Sequence, residues 1–197
     1  MTLEKLKELL DSANDKDITS RMLRDTPWIF QGNEGEFARW RADIADIAVC
    51  NTVGIYVVGS SAIGYSLSPT KPGRPFRHVS TKYEQPSDID VAIVSDVLFR
   101  EAWDALRLTE IERSIAASRD DRDKIRTDVY WGFVAGASVP TGTSPSRILR
   151  NAMSKTTYRS PFRGHRAQVR IYRRDEDLIA YHIQSLRSLR AELGKLS

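Results

Sequence analysis

The sequence predicts an α/β (α+β) domain. A mixed sheet of about four to five strands is flanked by helices, with the N-terminal and C-terminal helices packed on it. Three observations lead there. The chain has 197 residues, 41% of them hydrophobic and 28% charged, the size and composition of one soluble domain with a sizeable core. Short apolar runs end in turn residues: Ile55 to Val58 runs into Gly59, and Ile89 to Val94 runs into Ser95. Between such runs lie longer segments with apolar residues every three or four positions, the period of an amphipathic helix. The whole chain, 1–197, reads as a single domain in three parts: a helical part over 1–50, a core over 51–135 and a basic part over 136–197.

Residues 3–11 place Leu3, Leu6 and Leu10 on one helical face, and a short helix is expected from Ile18 to Leu23, broken near Pro27. Asn33 and Glu36 have the spacing of a capping box, ahead of Phe37, Trp40, Ile44 and Ile47 on one face. A strand over 54–58 leads through Gly59 into a helix reaching about Ser66. The proline-rich stretch 67–86 is a loop carrying Lys71, Arg74, Arg77, His78 and Lys82, able to close over phosphates. Strand 88–94 precedes a helix capped by Ser95 that runs to about Ser118. Ile125 to Val134 alternates as a third strand, with Asp128 on one face. Pro145 suits the first turn of a helix to about Met153, Val169 to Tyr172 is a fourth strand, and Asp175 opens a final helix to Leu193. On that helix His182 sits among leucines and reads as a satisfied core histidine.

Composition excludes several function classes. No apolar run is long enough to span a bilayer, and the first residues lack the apolar core of a signal peptide, so a cytoplasmic protein is expected. A single cysteine, Cys50, supports neither a disulfide framework nor a thiolate zinc site. There is no phosphate-binding P-loop, dinucleotide fingerprint or Gly-x-Ser-x-Gly elbow. The formal net charge is +4, and no Asp or Glu occurs from Val129 to Arg174. That span should face something negative: a triphosphate, an RNA, or the carboxylates of the first half.

The stretch with most chemistry is Tyr56 to Val94. Side chains alternate along a strand, so Asp88 and Asp90 share a face about 6.6 Å apart. Two like charges there call for a cation. Gly59 lets backbone approach a ligand closely, and Ser60 offers a hydroxyl. A cation site beside an anion site is what a metal–nucleotide complex needs.

An apolar strand, the turn Gly59-Ser60 and then Asp88-Ile89-Asp90 on a second strand resemble the nucleotidyltransferase superfamily, the DNA polymerase beta-like fold, in its small bacterial single-domain members. The resemblance covers roughly the central third of the chain. It implies a transfer of a nucleoside monophosphate from an NTP to an acceptor hydroxyl on an RNA or tRNA end, a protein or a small molecule. It implies Mg²⁺ or Mn²⁺ at Asp88 and Asp90, and a third carboxylate on a neighbouring strand, for which Asp128 is the candidate. Nucleotide contacts are expected from Gly59, Ser60, Ser61, Arg74 and Lys82. Such proteins include toxins and defence proteins. The alternative is an inactive member of that fold that binds RNA or nucleotide as a sensor or partner subunit; a third reading is an interaction partner, antitoxin-like or an assembly subunit, with the N-terminal helix as its docking face.

Overall fold

The computed structural model describes residues 3–79, 85–112 and 119–195. A four-stranded mixed sheet has the order β1-β2-β4-β3, built from β1 (Ile55–Val58), β2 (Ile89–Val94), β3 (Phe133–Ala135) and β4 (Ala167–Tyr172). β1 and β2 are antiparallel, with Val58 opposite Asp90. β2 and β4 are parallel, with Gln168 opposite Asp90 and Arg170 opposite Ala92. β3 closes the far edge antiparallel to β4. This is the α+β architecture with flanking helices that the sequence predicts.

Because side chains alternate, the sheet has two dissimilar faces. Ile55, Val57, Ile89, Val91, Ile93, Val169 and Ile171 point into the main core, where α3 (Glu34–Ala48), α5 (Asp96–Glu112) and α7 (Ser144–Thr157) contribute Trp40, Ile44, Leu98, Ala102 and Leu149. Trp40 Nε1 donates to Thr156 Oγ1 at 3.2 Å, so the buried indole has its partner. The other face carries Val58, Ala92, Phe133 and Tyr172, packed with Leu178 of α8 (Asp175–Lys195). Asp90 and Arg170 lie on this α8 side.

Helices α1 (Leu3–Ser12) and α2 (Asp15–Arg24) dock on the far end of α8, where Leu10 and Ile18 are buried with Leu186, Leu189 and Leu193. Arg190 pins the junction, donating to Asp15 Oδ1 at 2.8 Å and to the Ala13 carbonyl at 2.7 Å. The face of α1 expected to recruit a partner is therefore covered, at Leu10, by the chain itself.

Of the caps read from the sequence, Ser95 forms and Asn33 does not. Ser95 Oγ accepts from the Leu98 N–H at 3.2 Å, and Thr143 caps α7 just before Pro145. The Asn33–Glu36 capping box does not form. Asn33 makes no side-chain cap hydrogen bond, and Glu36 pairs with Arg39 one turn on.

The clearest departure is the third strand. Residues Arg119–Tyr130 form helix α6, and only Phe133–Ala135 is strand. Ile125 and Val129, four residues apart, both pack against the main core, a spacing that puts two residues on one face of a helix and on one face of a strand alike. Asp120 and Asp121 sit in the first turn, complementing the helix dipole. The alternation from Asp128 to Phe133 was a coincidence of a helix end meeting a short strand. Asp128 is consequently a helical residue.

Candidate functional site

Gly59 carries the chain out of β1 with φ +66° and ψ −147°, a conformation close to glycine-only. A Cβ there would lie 2.9 Å from Asp90 Oδ2. The Gly-Ser turn thus touches the carboxylate it was expected to serve. The helix after it, α4 (Ser60–Ile63), is a single turn ended by Gly64 in the left-handed conformation, shorter than the sequence suggests. Ser61 faces inward, fully buried, its hydroxyl donating to the Val58 carbonyl at 3.0 Å.

The long loop is folded onto itself. Ser66 N–H donates to the Arg74 carbonyl at 2.8 Å and Phe76 N–H to the Gly64 carbonyl at 2.9 Å, so Arg74 is held beside the turn. At its far end, Ser87 exchanges backbone hydrogen bonds with Arg77 through its N–H and hydroxyl, each 3.0 Å. His165, buried against Phe76, bonds the Ser87 carbonyl at 2.7 Å, and Ile89 N–H donates to the Arg166 carbonyl at 2.8 Å. Asp88 lies between these two anchored residues, so its position is fixed by backbone. Lys82 lies outside the described residues.

Gly59, Ser60, Arg74, Asp88 and Asp90 line one cleft of about 370 Å³, together with Lys71 and Arg170. Tyr181, His182 and Ser185 of α8 form its opposite wall. Ser61 and Asp128 are not among the lining residues. Asp88 Oδ2 accepts from Gln168 Nε2 at 2.7 Å. Asp90 Oδ1 meets Arg170 Nη1 at 3.4 Å. Burial pushes the Asp90 carboxyl above its ordinary value, Arg170 opposes this, and the charge of Asp88 adds to it. The shift is thus chiefly the cost of burying a charged carboxylate, with the second acid a smaller contribution.

In the sequence Arg170 is one cation of the acid-free span and Gln168 carries no signal; both reach the acids only because β4 pairs with β2 across a long crossover. The guanidinium of Arg170 lies over the rings of Phe133 and Tyr181, 5.9 and 5.8 Å from their centroids. Asp128, half-buried on α6, has its carboxyl pushed up by burial and held back by Lys124 and Arg170. It is not one of the residues that line the cleft. His182 is not the satisfied core histidine expected: its Nε2 is buried without a hydrogen-bond partner, and burial, reinforced by Arg170, lowers its pKa to about 3. The ring is therefore neutral at ordinary pH.

The acid-free basic span divides in two. Lys155 and Arg159 approach Asp43 at 3.9 and 2.5 Å, Arg170 approaches Asp90, and Arg173 approaches Asp96 at 3.1 Å. These meet the carboxylates of the first half, one of the three expected targets. Arg147, Arg150, Arg163 and Arg166 remain exposed.

Among the described residues no group of three or more His, Cys, Asp or Glu side chains could hold a metal ion. The pair Asp88 and Asp90 does fit a hard cation such as Mg²⁺, which takes one or two carboxylates and completes its shell with water and phosphate oxygens. Among the described residues no helix is long and apolar enough to cross a membrane. No family model matches the sequence, and no curated protein or solved structure matches it.

Proposed function

We propose that the cleft binds a nucleoside triphosphate with Mg²⁺ or Mn²⁺ and that the protein is a cytoplasmic nucleotidyltransferase, as its resemblance to that superfamily implies. One observation carries this reading: the Gly59-Ser60 turn packs directly on Asp90 in a cleft that also holds Asp88, Lys71 and Arg74. An anion-binding turn, two carboxylates for a cation and two basic side chains for phosphate share one concavity. Asp88 and Asp90 would hold the metal, which when bound neutralises the phosphates. Gly59 and Ser60 would contact phosphate oxygens, with Lys71 and Arg74 balancing their charge. An acceptor hydroxyl then attacks the α-phosphorus. A new P–O bond forms, the bond to the β-phosphate breaks with its electron pair leaving on pyrophosphate, and the hydroxyl proton passes to a base. The four exposed arginines of the basic span favour an RNA or tRNA end as acceptor over a protein hydroxyl.

A second reading has its own support. β4 sets Gln168 and Arg170, not a carboxylate, against Asp88 and Asp90. This favours nucleotide binding without transfer, as a sensor or partner subunit. Calorimetric titration with each NTP, with and without Mg²⁺, on the wild type, Asp88→Asn and Asp90→Asn separates the readings, together with a pyrophosphate-release assay over RNA and protein pools. Metal-dependent binding lost in both variants, with pyrophosphate released, supports transfer. The same binding without pyrophosphate supports the sensor. A wild type that binds no NTP overturns both.

A further inference from the structure

Three cations line the cleft, and Arg170 is the one seated at the carboxylates. Its seat is poor. The contact to Asp90 Oδ1 is 3.4 Å, against roughly 2.7–2.9 Å for a well-made charged hydrogen bond. Two neutral polar atoms in the same neighbourhood also lack partners: the Tyr172 hydroxyl, at the end of the strand that carries Arg170, and His182 Nε2 on the cleft wall. The guanidinium also lies over the rings of Phe133 and Tyr181, a cation–π seat that does not depend on Asp90. Asp128, on α6, is a second carboxylate within its electrostatic reach.

A divalent cation at Asp90 would bring a second positive charge beside this guanidinium, and Arg cannot give up its proton to relieve the repulsion. We propose that Arg170 is a placeholder for the metal at Asp90: it neutralises the carboxylate while the cleft is empty, and on metal arrival turns towards Asp128. This rests on the reading of Asp88 and Asp90 as metal ligands. It makes Arg170 and Asp128 positioning residues with opposite effects. Removing the competitor strengthens metal binding. Removing the competitor's alternative partner weakens it, because the displaced guanidinium then has nowhere to go.

The test is titration of the full chain with Mn²⁺ alone, following free Mn²⁺ by electron paramagnetic resonance, on the wild type, Arg170→Gln, Asp128→Asn and Asp90→Asn. Losing one charge-assisted contact corresponds to roughly a tenfold change in affinity. Arg170→Gln should bind Mn²⁺ about that much tighter, Asp128→Asn measurably weaker, and Asp90→Asn hardly at all. A merely structural role for Arg170 predicts weaker binding in both of the first two variants. Equal or weaker binding in Arg170→Gln, with the wild type binding normally, overturns the placeholder alone. If Arg170→Gln fails to fold, as judged by circular dichroism, Asp128→Asn decides: unchanged affinity there overturns the proposal. Absence of Mn²⁺ binding in every chain, or wild-type affinity in Asp90→Asn, overturns the metal site itself.

Discussion

Gly59→Ala tests the junction of turn and carboxylate. At φ +66° and ψ −147° an L-residue is strained by about 1–3 kcal/mol. The new methyl carbon would also stand 2.9 Å from Asp90 Oδ2, inside van der Waals contact. The carboxylate cannot retreat freely, because its other oxygen is the one that meets Arg170. Strain and clash together suggest a loss of roughly 2–4 kcal/mol. With a urea slope of roughly 2–3 kcal/mol per molar for a domain of this size, the midpoint should fall by about 1 M. Gly35→Ala is the matched control. It lies in α3 with nothing within 4 Å of its hypothetical Cβ, and should gain about 0.5–1 kcal/mol from the stiffer unfolded chain. Urea unfolding gives both stabilities, and calorimetry with Mg²⁺ and ATP gives binding. A Gly59→Ala protein as stable as the wild type, or one that binds Mg²⁺–ATP undiminished, would refute the packing of turn on carboxylate described above.

Two further expectations concern pH. Asp90 has its carboxyl pushed above the ordinary 3.8, so the folded state holds that proton more tightly than the unfolded one. The associated stability is complete below 3.8 and is lost as pH rises through the folded value. Asp90→Asn should therefore flatten the decline above about pH 4 and raise the neutral-pH melting temperature, even as it removes metal binding. Thermal unfolding across the pH range checks this; a lower melting temperature in the variant contradicts it. His182 has the opposite sign. Its pKa drops from 6.5 to about 3, so stability is complete above 6.5 and is lost as pH falls towards 3. His182→Asn should abolish that part of the acid slope, and a slope unchanged in the variant would place the acid sensitivity elsewhere.

Legibility in the sequence followed the range of the interaction. β1, β2 and their order around Gly59 were readable because strand period, turn chemistry and apolar content agreed over a few residues. Caps at Ser95 and Thr143 are local, and the first was foreseen. Asp128 failed on the same terms: from Asp128 to Phe133 the polar and apolar residues alternate as a strand's would, and the spacing of Ile125 and Val129 serves a helix face and a strand face alike, so the local pattern did not separate the two. Nothing local tied Arg170 or Gln168 to the acids. Their roles come from a parallel pairing of β2 with β4 separated by α5, α6, β3 and α7, which no spacing in the sequence announces.

That non-local pairing also explains the chemistry left unsettled between transfer and sensing. A strand contributes to its neighbour's face whatever it carries at the matching register. Here β4 brings an amide to Asp88 and a guanidinium to Asp90, and the guanidinium meets the electrostatic need that a metal would otherwise meet. The fold therefore offsets the charge of buried Asp90 with a side chain of its own, where an unpaired carboxylate would carry a large desolvation cost. If Asp90 holds a metal as proposed, its arrival displaces the guanidinium, and Asp128, the residue the sequence singled out for a different reason, is the carboxylate proposed to receive it.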